Sequence, residues 1–159
     1  MTSNVGAGIG DPYWYEWSVG QSYVIEMLND ASDISSVTLQ KSGDKGLDDV
    51  VVRFASGNAR FIQVKHTRVS DTLTFGDLVT ADGTESSLLR RIANAWDAEV
   101  GRAKGECEAW LVTNRAAGRT KITTKTTSIA RPPLDDFLRQ VRTEVAIAAT
   151  LDDVTIPVE

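Results

Sequence analysis

The sequence predicts an α/β sandwich, a mixed sheet with a β-hairpin at its centre and helices on its faces. Three observations point there. Apolar residues recur at helical spacing near the N-terminus, after residue 86 and near the C-terminus. Two short β-branched and aromatic runs flank the turn signal Ser56-Gly57-Asn58. The resulting order is helix, strand, strand, strand, helix, strand, helix, with no internal repeat.

Taken in order, residues 1–12 are small, Gly-rich and end in Asp-Pro, and are expected to form a flexible arm. A helix is expected from Tyr13 to about Asn29, with Trp14, Trp17, Val24, Ile25 and Leu28 as its apolar positions. Ser36 to Gln40 alternates around Val37 and Leu39 and reads as a short strand. After a polar loop, Val50 to Phe54 and Phe61 to Thr67 read as the two arms of the hairpin. Thr74 to Val79 fits a short helical turn or a docking loop. Ser86 to Ala103 fits a helix with Leu88, Leu89, Ile92, Ala95, Trp96 and Val100 on one side. Ala109 to Thr113 reads as a buried strand, and Gly118 to Lys125 as a loop or an edge strand. Asp135 to Thr150 is the last expected helix, with Asp135 and Asp136 where the helix dipole favours acids. The domain proper is thus expected over 13–150, with 151–159 a tail or the start of a linker to further domains. Trp14, Trp17, Trp96 and Trp110 are expected in the core rather than as base-stacking platforms.

Composition excludes several classes. The chain has 159 residues, 42% hydrophobic and 25% charged, the profile of one ordinary globular domain rather than a disordered chain or a rod. No apolar run reaches the roughly 18 residues of a membrane span. Met1 to Gly10 carries no basic residue and no long apolar core, so it does not read as a secretory signal, and a cytoplasmic location is expected. Cys107 is the only cysteine, which excludes an internal disulfide and a Cys-rich zinc site. Between Glu106 and Glu108 its thiol is expected to be a poor thiolate. His66 is the only histidine, so a metal site would rest mainly on oxygen ligands.

The net charge of −5 argues against a generic nucleic-acid binder. Its distribution is uneven. Residues 109–134 carry Arg115, Arg119, Lys121, Lys125 and Arg131 and no acid. Arg115, Arg119, Lys121 and Lys125 are candidate phosphate contacts, the alternative being a solvated loop.

The segment that carries chemistry is Gly46-Leu47-Asp48-Asp49-Val50-Val51-Val52-Arg53-Phe54, followed across the turn by Phe61-Ile62-Gln63-Val64-Lys65-His66. Gln63 and Lys65 are two apart on a strand and share a face. An acid, an amide and a lysine on one face of a half-buried hairpin need a polar partner, and a divalent metal is a suitable one. Placing Asp49 opposite Lys65 and Val51 opposite Gln63 leaves Val50, Val52, Phe54, Ile62 and Val64 on a wholly apolar opposite face. The Asp48 register would bury Asp49 and Arg53 against Ile62 and Val64, so Asp49 is favoured, with Asp48 a neighbour that helps or is solvated.

An Asp, a hairpin turn and then Gln-Val-Lys resembles the PD-(D/E)xK nuclease superfamily, in its Mrr-like branch. Tyr15-Glu16 stands where that branch carries an aromatic-acidic pair on the first helix. Gln63-Val64-Lys65-His66, Leu73-Thr74-Phe75-Gly76-Asp77-Leu78 and Leu111-Val112-Thr113-Asn114 look like the N-terminal double-stranded DNA endonuclease domain of CD-NTase-associated (CBASS) effectors and of some Avs-type STAND defence proteins. The resemblance spans about Tyr13 to Asn114 and departs from most members at Gln63, where they have Glu or Asp. It implies a restriction-endonuclease-like αβα sandwich and a Mg²⁺- or Mn²⁺-dependent endodeoxyribonuclease in antiphage defence. Further domains and homo-oligomerisation would activate it. The implied metal ligands are Asp49, the Gln63 side-chain oxygen, the Val64 backbone carbonyl and Glu16, with Glu26 the alternative helix acid. Lys65 would position the attacking water and offset transition-state charge. His66, on the opposite face from Lys65, is assigned no catalytic role. A catalytically inactive nuclease fold used for nucleic-acid binding or oligomerisation, and a nuclease acting on RNA or branched DNA, are the other readings.

Overall fold

The computed structural model describes residues 11–41, 46–68, 71–81, 83–119 and 134–147. Its elements are α1 (Asp11–Glu26), β1 (Ile34–Leu39), β2 (Val50–Phe54), β3 (Ala59–Lys65), α2 (Phe75–Val79), α3 (Leu88–Val100), β4 (Cys107–Thr113) and α4 (Leu134–Ile147). The chain divides into two compact units, one of Met1–Val69 with Val79–Asn114, the other of Ser70–Leu78 with Arg115–Glu159. Residues 1–10 of the expected arm and the expected tail 151–159 lie outside the described residues, while Asp11 and Pro12 already open α1, where proline's missing N–H costs nothing.

The first unit is α/β, built on one mixed sheet of order β1-β2-β3-β4. The pairs β1–β2 and β2–β3 are antiparallel and β3–β4 is parallel. The hairpin turn closes where Gly57, at φ +92°, takes a backbone conformation that side chains disfavour, and where the Phe54 N–H donates to the Asn58 carbonyl at 3.0 Å. Successive residues of a strand face opposite sides. On one side Val50, Val52, Ile62 and Val64 pack with Ile34 against Tyr15, Val19 and Tyr23 of α1. On the other, Val51, Ala59 and Phe61 pack with Leu47 against Ile92, Ala95 and Trp96 of α3. Both faces of the hairpin are therefore covered, which is why its residues form a nearly unbroken apolar run.

The apolar face expected for the hairpin is the one observed, but its register differs. Val50 pairs with Ile62 and Val51 with Phe61, rather than Val51 with Gln63. The slip is two residues, so every side chain keeps its face. The structure also corrects the first helix. Trp14, Trp17, Val24, Ile25 and Leu28 are exposed, and Tyr15, Val19 and Tyr23 face the sheet instead. Those three recur at i, i+4 and i+8, and Gly20 beside them packs against the end of the Leu39 side chain, which would have to shift to admit a Cβ there. Helical spacing alone admits both stripes, and packing against Val50, Val52, Ile62 and Val64 of the sheet selects one.

β4 begins at Cys107 and, among the described residues, pairs only with β3. Glu108, Ala109 and Trp110 are exposed, so the expected buried strand is an edge strand. Trp110 lies under the Arg60 guanidinium, 4.1 Å from ring centroid to charge, and Arg60 also pairs with Glu108 at 2.6 Å. Trp96 is half-buried in the core as expected, while Leu89 and Val100 of α3 are exposed. Burial raises the Cys107 thiol pKa, with Glu99 adding to the effect and Arg53 opposing it.

In the second unit Thr74 caps α2, and its N–H and hydroxyl both donate to Asp77 at 2.7 Å. Phe75 meets Phe137 of α4 edge to face at 4.8 Å, and Leu73 bridges Ala117. The short helical turn expected at Thr74 to Val79 is thus formed. Of the expected loop or strand Gly118 to Lys125, only Gly118 and Arg119 are described.

Ile62 is fully buried among valines and against α1, whereas Leu89 on α3 is 43% exposed. Ile62→Ala is expected to cost about 2–5 kcal/mol, and Leu89→Ala under about 0.5 kcal/mol, in urea unfolding monitored by far-UV circular dichroism.

Candidate functional site

The site forms where the apolar alternation of the hairpin ends. Asp49 immediately precedes β2, and Gln63, Val64 and Lys65 close β3. Gln63 is 5% exposed. A buried amide needs partners, and Gln63 finds one by donating from Nε2 to Asp49 Oδ2. The same Asp49 oxygen accepts the Val64 backbone N–H at 2.6 Å. Asp49 therefore ties the start of β2 to the end of β3 through both a side chain and the main chain.

The electrostatics of Asp49 follow from its setting. Burial raises its carboxyl from the ordinary 3.8 to about 6, with Glu16 and Asp48 adding to the rise while the Val64 N–H and the Lys65 charge oppose it. Of the sequence-expected set, Gln63 touches Asp49 directly, Glu16 is linked to the Asp49 main chain through Gln40, and Lys65, the last residue of β3, acts on Asp49 through its charge alone. Glu26 is exposed at the last residue of α1 and takes no part among the described contacts, so of the two helix acids Glu16 is the one near Asp49. Asp48 acts locally instead, its Oδ1 accepting the Gly46 N–H at 2.9 Å to close the loop into β2. Gly46 is required there, since it sits at φ +135° with an added Cβ only 2.6 Å from the Arg91 carbonyl.

The sequence reading missed Gln40. It is the one described non-glycine residue with positive φ, at +49°. Its backbone N–H donates to the Asp49 carbonyl at 2.8 Å and its side-chain amide donates to Glu16 Oε2 at 3.3 Å. A left-handed glutamine costs of the order of 1 kcal/mol, and such strain concentrates at functional sites. No local signal marks it, because its conformation is imposed by the β1–β2 pairing. His66 stacks on Tyr15, ring centroids 5.0 Å apart, which anchors α1 beside Glu16 to the end of β3. Asn114 clamps the same end, its side chain accepting the Thr67 N–H at 3.1 Å and donating to the Thr67 carbonyl at 2.7 Å.

The candidate phosphate contacts fare differently. Arg115 is committed within the second unit, to Asp71 at 2.8 Å, to Asp77 at 3.1 Å and to the Thr72 carbonyl at 2.6 Å. Burial tends to raise the Asp77 carboxyl, but the Thr74 and Arg115 hydrogen bonds outweigh it and hold the pKa below the ordinary value. The Arg119 side chain is 87% exposed, with Asp135 3.6 Å away. Lys121 and Lys125 lie outside the described residues.

The donor chemistry sets what cation this end of the sheet would take. Among the described residues no group of three or more His, Cys, Asp or Glu side chains converges. The oxygens available are the Asp49 carboxylate, the Gln63 amide oxygen, the Val64 carbonyl and Glu16, hard ligands that suit Mg²⁺ or Mn²⁺ completed by waters. Gln63 presents its NH₂ group to Asp49, so the amide must turn to offer Oε1. A carboxylate whose charge is penalised by burial fits such a cation. Comparison with protein-family models, with curated proteins and with solved structures finds no match to this chain. No described helix is long and apolar enough to cross a membrane.

Because folding raises the Asp49 pKa, the folded chain binds that proton more tightly than the unfolded chain, and the Asp49 contribution to stability falls as pH rises from about 4 to 6. Asp49→Asn is expected to flatten that fall and to raise the unfolding midpoint at pH 8, read by thermal melts across pH. A midpoint lowered at pH 8 would contradict it.

Proposed function

We propose that the chain is a metal-dependent endonuclease domain that hydrolyses double-stranded DNA, built on the restriction-endonuclease-like αβα plan and serving as effector of a bacterial antiphage defence protein. The observation that carries this reading is the convergence of Asp49, Gln63, the Val64 carbonyl and Lys65 at one end of the hairpin, with Glu16 acting on Asp49 from α1. The motif Asp-hairpin-Gln-Val-Lys supports the same class, as does a sheet with two antiparallel pairs followed by a parallel strand.

In this reading Asp49, Gln63 Oε1 and the Val64 carbonyl hold a Mg²⁺ or Mn²⁺, with Glu16 as a further carboxylate. When bound, the cation supplies Lewis-acid polarisation of the scissile phosphate and acidifies a bound water. Lys65 holds the attacking water and offsets charge developing on the phosphoryl oxygens. Gln40 keeps Glu16 turned toward Asp49, and the Tyr15–His66 stack fixes the helix that carries Glu16. Arg119, with Lys121 and Lys125, remains as a DNA-backbone contact, and Arg115 is reassigned to holding its own unit together. Net charge −5 makes the isolated chain a weak DNA binder, so partner domains or oligomerisation would raise affinity by multivalency.

One observation favours the second reading, a nuclease fold without catalysis that binds nucleic acid or oligomerises. Gln63 replaces the usual acid, and no triad of acidic ligands converges among the described residues. Nicking of supercoiled plasmid separates the two. With Mg²⁺ or Mn²⁺ the chain, tethered as an oligomer if inactive alone, is expected to nick DNA. EDTA should abolish that activity, and Lys65→Ala should lower it at least about a hundredfold. Calorimetric titration with Mn²⁺ should show binding that Asp49→Asn removes. Absence of both turnover and Mn²⁺ binding would leave the inactive fold, and cleavage confined to RNA would replace the substrate.

A further inference from the structure

We propose that α1 is a self-association surface through which two copies of this chain pair about a two-fold axis at Gln21, their first helices antiparallel. The helix has two apolar faces. One, Tyr15, Val19 and Tyr23, covers the sheet. The other carries Trp14, Trp17, Gln21, Val24, Ile25 and Leu28, which at 100° per residue fall within an arc of about 100° on the opposite side. Trp14 is 65% exposed and Leu28, in the turn that follows the helix, 81%. Trp14 and Trp17 meet edge to face at 5.5 Å, forming a preset aromatic pad. Monomeric proteins rarely leave so contiguous an apolar stripe in water.

Three features select a second copy as the occupant. The first is area: these side chains expose roughly 600–700 Å² per copy, so a face-to-face pair buries at most about 1,400 Å² in total, a ceiling that reaches the range of stable interfaces. The second is charge. The chain is net acidic, yet the stripe holds no Asp, Glu, Lys or Arg, so the seam itself contains no charge, and Glu16 and Glu26 lie off it on the other side of the helix. No Lys or Arg occurs from Asp11 to Gln40, which disfavours an anionic membrane surface. The third is symmetry within the sequence. Trp14 and Leu28 lie seven residues either side of Gln21, and Trp17 and Ile25 lie four. In an antiparallel pair each Trp14 therefore meets Leu28 of the second copy and each Trp17 meets its Ile25. The two Gln21 amides face one another, donor to acceptor, as an isologous contact requires. A single polar residue in an apolar seam fixes the register of such a pair. Glu16 and the Asp49 site lie on the sheet side of α1 and stay open.

The test uses the full chain and no activity assay, so its outcome is independent of the nuclease reading. Sedimentation equilibrium is expected to give a concentration-dependent mass approaching twice 17.3 kDa. The double variant Trp14→Lys, Ile25→Lys should halve that mass without altering the far-UV circular dichroism. In a Cys107→Ser background, Gln21→Cys should be joined to a second copy by a short bis-maleimide, while Ser22→Cys, on the helix flank, should not. If the double variant fails to fold, the cross-link still reads the pairing on the native stripe. A monomer up to several hundred micromolar, a dimer indifferent to the double variant, or a Gln21→Cys chain that does not cross-link would each overturn the proposal.

Discussion

Burial of the β2–β3 pair on both of its faces is the constraint on which the rest of the first unit depends. Val50, Val51 and Val52 have no solvent side, nor have Phe61 and Ile62. A strand pair of this kind must be roofed twice, once by α1 and once by α3. Backbone hydrogen bonding then requires neighbours on both edges, and β1 and β4 supply them. The parallel β4 follows from α3: a chain that crosses one face of the sheet as a helix returns in the direction in which it left.

The polar end of the hairpin is a consequence of the same burial. Alternation carries Gln63 inward on the face of Phe61, in a position where an unpaired amide is costly. Asp49 resolves that cost by accepting from both Gln63 and the Val64 N–H, but only by accepting partial burial itself. Its raised pKa records the imbalance, and two further acids, Glu16 and Asp48, deepen it. A folded chain that holds the Asp49 carboxyl partly buried, with the charges of Glu16 and Asp48 acting on it, carries a local electrostatic cost at its sheet end. The left-handed Gln40, bonded to both Asp49 and Glu16, adds a second local cost at the same place. Two independent penalties at one point separate this cluster from the ordinary polar rim of a sheet.

Much of the fold was legible because its signals are local. The β-branched runs and the Ser56-Gly57-Asn58 turn define the hairpin without reference to anything else, and β2 is found at its expected bounds. Asp49 and Gln63 were legible because period-two alternation decides which face a residue takes. The pairing register was not, because slipping by two residues leaves every face unchanged and the turn geometry at Gly57 makes the choice. Edge and centre were not separable either: β4 reads as apolar, yet its outer half is open.

The sequence by itself determined the α/β class, the hairpin, and the shared face of Gln63 and Lys65 on β3, since each depends only on spacing along the chain. Only the tertiary structure decided which stripe of α1 faces inward, because the helix is apolar on two sides and Tyr15, Val19 and Tyr23 are the residues that pack on the sheet. It likewise decided that Asp48 closes a loop and Arg115 is tied to Asp71 and Asp77. Side-chain roles of that kind depend on partners many residues away, and no local pattern encodes the distance between them.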